Sequence, residues 1–285
     1  MGLLPSVPQT ITQNIYDTVK VWCKSFFVTL PLMIIMCSAV TITSFYTTYA
    51  QTAPHTNIVL SNKLLCVLCA CFILIIYILY AAIFHRINSV IYNKNDSLFI
   101  SIYIGIKKFI SLLIASIITI IALALIVLVI ALPFLLLFHL AASNLPNIWP
   151  FHQPILQQRV QLFALVTIVF AYVYAAVLLL FYFPLIIIDN LNPVSAFTKS
   201  CYLVWGNWWR TAIIIGMMYF ILPLFLYIIQ WYFAYHLAAP YISYLHQWMI
   251  SSFLQSLISI FYVPLFVSGV LVVMHDLKIR KYRTI

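Results

Sequence analysis

Residues 195–211 read SAFTKSCYLVWGNWWRT. The sequence on either side, 161–188 and 211–236, is almost unbroken apolar residues. A short piece carrying Lys199, Gly206, Arg210, Trp205, Trp208 and Trp209 is therefore a junction. Asn192 followed by Pro193 is a helix-start signal, because a proline in the first turn has no useful N–H to lose. From that start Phe197, Cys201, Val204, Trp205 and Trp208 recur at helical spacing on one face, with Ser195, Thr198, Lys199 and Asn207 elsewhere. The pattern predicts an amphipathic helix at the headgroup level, its indoles in the boundary and its cations toward anionic lipid. It turns into the membrane near Arg210.

Such a junction implies that its neighbours span a bilayer, and the composition agrees. The 285 residues are 66% hydrophobic and 6% charged, with no glutamate, whereas a soluble domain carries about a quarter charged residues. At about 20 apolar residues per crossing, six spans are read near 25–47, 64–84, 109–140, 161–188, 211–236 and 249–274. The third is too long for an upright helix, so Pro133 or an early interfacial turn takes up the excess. Lys20, Lys24, Arg86, Lys94, Lys107, Lys108, Lys199, Arg210, Lys278, Arg280, Lys281 and Arg283 fall on one side of this arrangement, and only Lys63 and Arg159 on the other. That bias predicts that both termini are cytoplasmic. Asp17, Asp96, Asp189 and Asp276 share the basic side. The far side holds NLPNIWPFHQPILQQ (144–158) and YHLAAPYISYLHQW (235–248), whose aromatic residues fit an interfacial belt. The net charge of +10 is thus read as topology and attraction to anionic headgroups, with no nucleic-acid partner.

The junction has two counterparts. In TITQNIYDTVKVWCK (10–24), Ile11, Ile15, Val19 and Trp22 share a face that continues to Phe26, while Gln13, Asp17, Lys20 and Lys24 line another. In DSLFISIYIGIKK (96–108), Asp96 is the expected cap and Ser97, Ser101, Gly105 and Lys108 form the polar strip. Each such segment ends in cations before a span: Lys24, Lys107 with Lys108, and Arg210. The expected fold is all-α and polytopic. Its six spans form three two-span repeats, near 8–86, 95–189 and 192–276, each led by a cytoplasmic interfacial amphipathic helix, with a basic tail at 277–285. A pseudo-threefold axis along the membrane normal is the natural arrangement.

Three stretches resemble the YciC-like family of bacterial inner-membrane proteins: IYDTVKVWCKSFFVTL (15–30), FPLIIIDNLNPVSAFTKSCYLVWGNWWRTAIII (183–215) and HDLKIRKY (275–282). The middle one carries most of the likeness, in a proline-bearing span, an acidic–amide pair and a tryptophan-rich junction. The resemblance covers the whole topology and implies a bacterial inner (plasma) membrane protein, without supplying a reaction. The chain departs from the family in lacking a glycine after Pro184.

Catalysis needs a positioned acid, base, nucleophile or metal, and the sequence has no HExxH, GxSxG, P-loop or paired carboxylates. No catalytic, cofactor or metal site is expected. Cys66 and Cys69 have CxxC spacing inside an apolar helix and are read as packing. His55, His139, His152, His236 and His246 are read as interfacial. Asp189 and Asp276 are read as helix caps or as partners of Lys199 and Arg280. No Asp, Glu, Lys or Arg lies at mid-membrane, and the Px[DE]xx[KR] motif that mitochondrial carriers have in their odd-numbered spans is missing at Pro31, Pro133 and Pro223. Ser252, Gln255, Ser256 and Ser259 form one polar stripe which, with Gln230, serves either as a helix–helix contact or as an outward-open cleft. The leading expectation is a non-enzymatic membrane protein acting in envelope or lipid organisation, or as a partner for membrane proteins or further copies of itself. The alternative is a transporter or channel for a neutral or amphipathic solute, not coupled through a buried carboxylate.

Overall fold

The computed structural model describes residues 3–52, 62–94, 96–144, 154–218, 222–232 and 244–283. Among them the regular structure is all helical: α1 (Ile11–Thr52), α2 (Asn62–Ile91), α3 (Leu98–Asn144), α4 (Pro154–Leu179), α5 (Tyr182–Ile188), α6 (Pro193–Val204), α7 (Trp208–Gly216), α8 (Leu222–Tyr232) and α9 (Tyr244–Arg283). Five stretches are long and apolar enough to cross a membrane: Ile11–Thr43, Ala70–Ile91, Leu98–Phe134, Leu162–Ile188 and Phe253–Tyr282. The fifth span read from sequence falls on α7 and α8, with residues 219–221 between them outside the described set.

The junctions are not alike. The first two expected interfacial helices run without a break into the spans that follow, giving α1 its 42 residues and α3 its 47, with Pro31 and Pro133 accommodated inside them. At 1.5 Å per residue these helices are about 63 and 70 Å long, roughly twice the hydrocarbon thickness of a bilayer. Only the third junction bends. There Trp205 caps α6, Gly206 takes φ +85°, and the Asn207 carbonyl accepts the Thr211 N–H at 3.0 Å to open α7. Glycine permits that left-handed turn. At the second junction the corresponding glycine serves packing instead. A Cβ on Gly105 would lie 2.5 Å from the Ile78 carbonyl oxygen of α2.

Packing follows small and polar residues. On α1, Asn14, Thr18, Val21, Ser25, Thr29, Leu32 and Met36 recur every three or four residues, and all are buried. The hydroxyls of Thr18, Ser25 and Thr29 donate to carbonyls within their own helix, so burial leaves them satisfied. The main partner of α1 is α9, which also touches α2, α6, α7 and α8. From Phe266 to Met274 every α9 residue is buried, which marks it as the central helix. Its small Ser268 and Gly269 admit close neighbours, with Gly269 against Thr18 and Met218.

Between α4 and α5 the helix breaks because Pro184 has no N–H to continue it. The Ser200 hydroxyl of α6 repairs the break, accepting the Phe181 N–H at 3.1 Å and donating to the Leu178 carbonyl at 2.7 Å. α6 therefore turns Ala196, Ser200, Leu203 and Val204 to the core. The apolar face expected from sequence lies about a third of a turn away.

Overpacking a close helix contact costs about 1–3 kcal/mol. Gly105→Ala should lower the thermal midpoint of the purified protein by several degrees. Gly216→Ala, which meets nothing within 4 Å and trades a helical glycine for a better helix former, should not lower it.

The candidate functional site is a polar cluster at one end of the bundle

The charged residues gather where α2, α5, α6 and α7 approach the last turns of α9. Asp276, on α9, is 2% exposed. One carboxylate oxygen accepts the Gln9 N–H at 2.7 Å. The other accepts from Asn14 Nδ2 at 3.2 Å, Arg210 Nε at 3.3 Å and Arg280 Nε at 3.0 Å. Both guanidinium groups also donate to the Gln9 carbonyl. Nearby, His275 Nε2 lies 3.1 Å from the Pro5 carbonyl, and the Leu3 N–H donates to the Ile91 carbonyl at 3.0 Å. The segment 3–10 is thereby tied to α2, α7 and α9.

Asp189 closes α5, and Asn190 follows it in the left-handed region at φ 54°. Its carboxylate accepts from Lys278 Nζ at 2.8 and 2.9 Å and from Lys199 Nζ at 3.0 Å. Burial alone would raise its pKa. The hydrogen bonds from Lys278 and Lys199, together with their charges, outweigh burial and hold the carboxyl below its ordinary value.

Asp96 departs from its expected place. The cap of α3 is the Ser97 hydroxyl, which accepts the Ile100 N–H at 3.3 Å. Asp96 instead accepts from Ser89 Oγ and sits 3.9 Å from His85 Nε2, while His85 Nδ1 lies 3.2 Å from Ser101 Oγ. The expected cap of α6 is present: Asn192 Oδ1 accepts the Ser195 N–H at 2.8 Å, with Pro193 in the first turn.

The tryptophans of the junction separate by role. Trp208 is buried, stacks on Tyr174 at 4.9 Å and donates its indole N–H to the Tyr174 carbonyl at 3.1 Å, docking α7 on α4. Trp205 and Trp209 are exposed. Lys281 donates to the Trp205 carbonyl at 2.9 Å and lies over the Tyr202 ring. Trp22 is half-buried, meets Phe26 edge-on, and its indole nitrogen has no hydrogen-bond partner among the described residues. Lys24 and Lys107 are exposed, Lys108 is half-buried, and Arg210 turns inward to Asp276.

The polar stripe of α9 does not act as one unit. Ser256 is buried, with its Oγ 2.6 Å from Thr41 Oγ1 on α1, and its carbonyl accepts from Cys37 Sγ at 3.3 Å. Gln230 on α8 is buried and donates to the Ser251 carbonyl and hydroxyl at 3.0 Å. Ser259 donates to the Gln255 carbonyl within α9, and Gln255 is exposed. The side chain of Ser252 lies outside the described set, as do those of Lys63, Cys66, Cys69, His139 and His246. His55, His152, His236 and most of both far-side aromatic segments lie outside it altogether. Among the described residues no group of three or more His, Cys, Asp or Glu side chains is placed to hold a metal.

Compared with known protein families, curated proteins and solved structures, the chain matches none.

Sequence reading missed Gln9, Asn14, Lys278 and Ser200. Asn14 had a signal, since it opens the small and polar face of α1. Gln9 had none.

Asp189→Asn removes the charge on which two lysines converge and should cost about 1–2 kcal/mol near neutral pH. The folded carboxyl titrates below its unfolded value of about 3.9, so its stabilisation is complete above about pH 5. It is lost as the pH falls through the lowered folded value. Denaturation series for both proteins should therefore differ at pH 7 and converge in strong acid.

Proposed function

We propose that this is a non-enzymatic membrane-spanning protein that holds its basic end at the anionic headgroups of a bacterial inner membrane, in envelope or lipid organisation. The observation that carries the reading is the division of charge. No aspartate is exposed: Asp276 and Asp189 are consumed by four cations, Asp96 by a serine, and Asp17 is buried. Lys20, Lys24, Lys94 and Lys107 remain exposed. The outward charge of the described surface at this end is thus cationic, which suits anionic lipid. The long sides of the helices expose Phe27, Ile34, Ile42, Ile117, Ile120, Leu128 and their neighbours, a surface that water disfavours and acyl chains do not.

Asp189 and Asp276 are engaged by the fold's own cations, which leaves them poorly placed for acid–base work and supports the non-enzymatic reading. Ser256 and Gln230 spend their polar atoms on inter-helix bonds, which favours packing over a solute path. The resemblance at 183–215 supports the inner membrane as the location, and the basic bias supports cytoplasmic termini. Three repeats draw support from the aspartates: one follows α2, one closes α5, and one lies near the end of α9.

The test is directional labelling of sealed cells after replacement of the native cysteines. Single cysteines at 145–153 should react with an impermeant thiol reagent added outside, and one at Thr284 should react only after lysis. Labelling of Thr284→Cys in intact cells would overturn the orientation.

A further inference from the structure

The first turns of α3 are turned inside out relative to a water-facing helix. Ser101 and Gly105 are buried against α2, with Ser101 beside His85 and Gly105 beneath Ile78. On the other face Phe99 (82%), Tyr103 (64%), Ile106 (55%) and Ile110 (69%) are exposed at spacings of four, three and four residues. Two members of the polar strip expected from sequence, Ser101 and Gly105, pack inward, while Ser97 stays exposed and Lys108 half-buried.

We propose that this face, Phe99 to Ile110 with Lys107, is a docking surface for anionic phospholipid at headgroup depth. The proposal rests on the membrane reading above and deepens it. The face is continuous with the apolar side of the same helix, where Leu113, Ile114, Ile117, Ile120 and Ile121 are exposed, so whatever solvates those residues reaches it without interruption. Phe99 to Leu136 measures about 55 Å along the helix, more than the ~30 Å of a hydrocarbon core and the ~40–45 Å of a whole bilayer. A helix tilted within the usual range of up to about 40° still places its first turns among the headgroups. Aromatic residues are favoured at that depth. Lys107 is exposed within the stripe and Lys94 in the loop before it, while the half-exposed Asp96 of that loop is engaged by Ser89 and lies 3.9 Å from His85. Apolar contact with exposed positive charge is the complement of an anionic amphiphile.

The experiment places a fluorophore on single cysteines, Tyr103→Cys and Ile117→Cys, in a cysteine-free full-length protein reconstituted into nanodiscs. The nanodiscs contain phosphatidylcholine with phosphatidylglycerol. Quenching by lipids spin-labelled at the headgroup or at mid-chain gives the depth of each site. Position 103 should be quenched several-fold more by the headgroup label, and position 117 by the mid-chain label. At 103, headgroup-labelled phosphatidylglycerol should quench several-fold better than headgroup-labelled phosphatidylcholine, and Lys107→Gln should abolish that preference.

Quenching of 103 by aqueous iodide alone, with 117 still quenched by lipid, would overturn this proposal and leave the membrane reading standing. Iodide quenching at both sites would overturn that reading as well. Protection of 103 from lipid labels and iodide alike would mean that a protein covers the face, and equal quenching by the two lipids would remove the anionic preference. Either result contradicts the proposal.

Discussion

A carboxylate that is 2% exposed and flanked by two guanidinium groups cannot be left unpartnered, and the Asp276 cluster organises the charged end of this protein around that constraint. A buried charge that loses its partner costs several kcal/mol, so the elements bearing its partners are held in register with it. Asp276 lies on α9, Arg210 on α7, Asn14 on α1 and Gln9 in the segment before it, so one side chain joins the two ends of the chain. The same oxygens fix how far α9 slides against α1. That register seats Gly269 against Thr18 and brings Ser256 to Thr41. The Asp189 cluster repeats the device at lower cost, on a more accessible carboxylate that ties α5 and α6 to α9.

A second constraint runs the length of the helices. In water a helix hides its apolar face and shows its polar one. Here α1 hides Asn14, Thr18, Ser25 and Thr29 and shows Tyr16, Phe27, Ile34 and Ile42, and α3 hides Ser101, Ser116 and Thr119. When the surrounding solvent is as apolar as leucine, association gains little from burying leucine. Helices then approach through small residues and satisfied hydroxyls instead.

That exchange explains what was legible in the sequence. Apolar length is a one-dimensional property, so five stretches long and apolar enough to cross a membrane could be read directly, as could the Asn192–Pro193 start of α6. Short-range charge pairs were legible too: Asp276 with Arg280 is one helical turn, and Asp189 with Lys199 is ten residues. Helix faces were not. Amphipathic logic makes Ser101 and Gly105 part of a polar strip on α3 and puts Phe197 and Cys201 on the apolar face of α6, and the structure instead buries Ser101 and Gly105 on one and Ala196, Ser200 and Leu203 on the other. The links from Asp189 to Lys278 and from Asp276 to Gln9 join residues 89 and 267 positions apart, which local spacing does not register. Nor did the sequence mark which junction would bend. A glycine stands in two of them, and only the positive φ of Gly206 against the close approach at Gly105 distinguishes a hinge from a packing site.

The most direct measurement of the Asp276 account is a double-mutant cycle. Asp276→Asn, Arg210→Gln and the double variant would be compared with the native chain by equilibrium unfolding in mixed micelles. Groups that act as one unit are non-additive, and the account predicts a coupling of about 1–3 kcal/mol, with the double variant much less destabilised than the sum of the two single ones. Additivity to within about 0.5 kcal/mol would show that the two residues stabilise the fold independently, and would contradict the claim that this carboxylate binds the ends of the chain together.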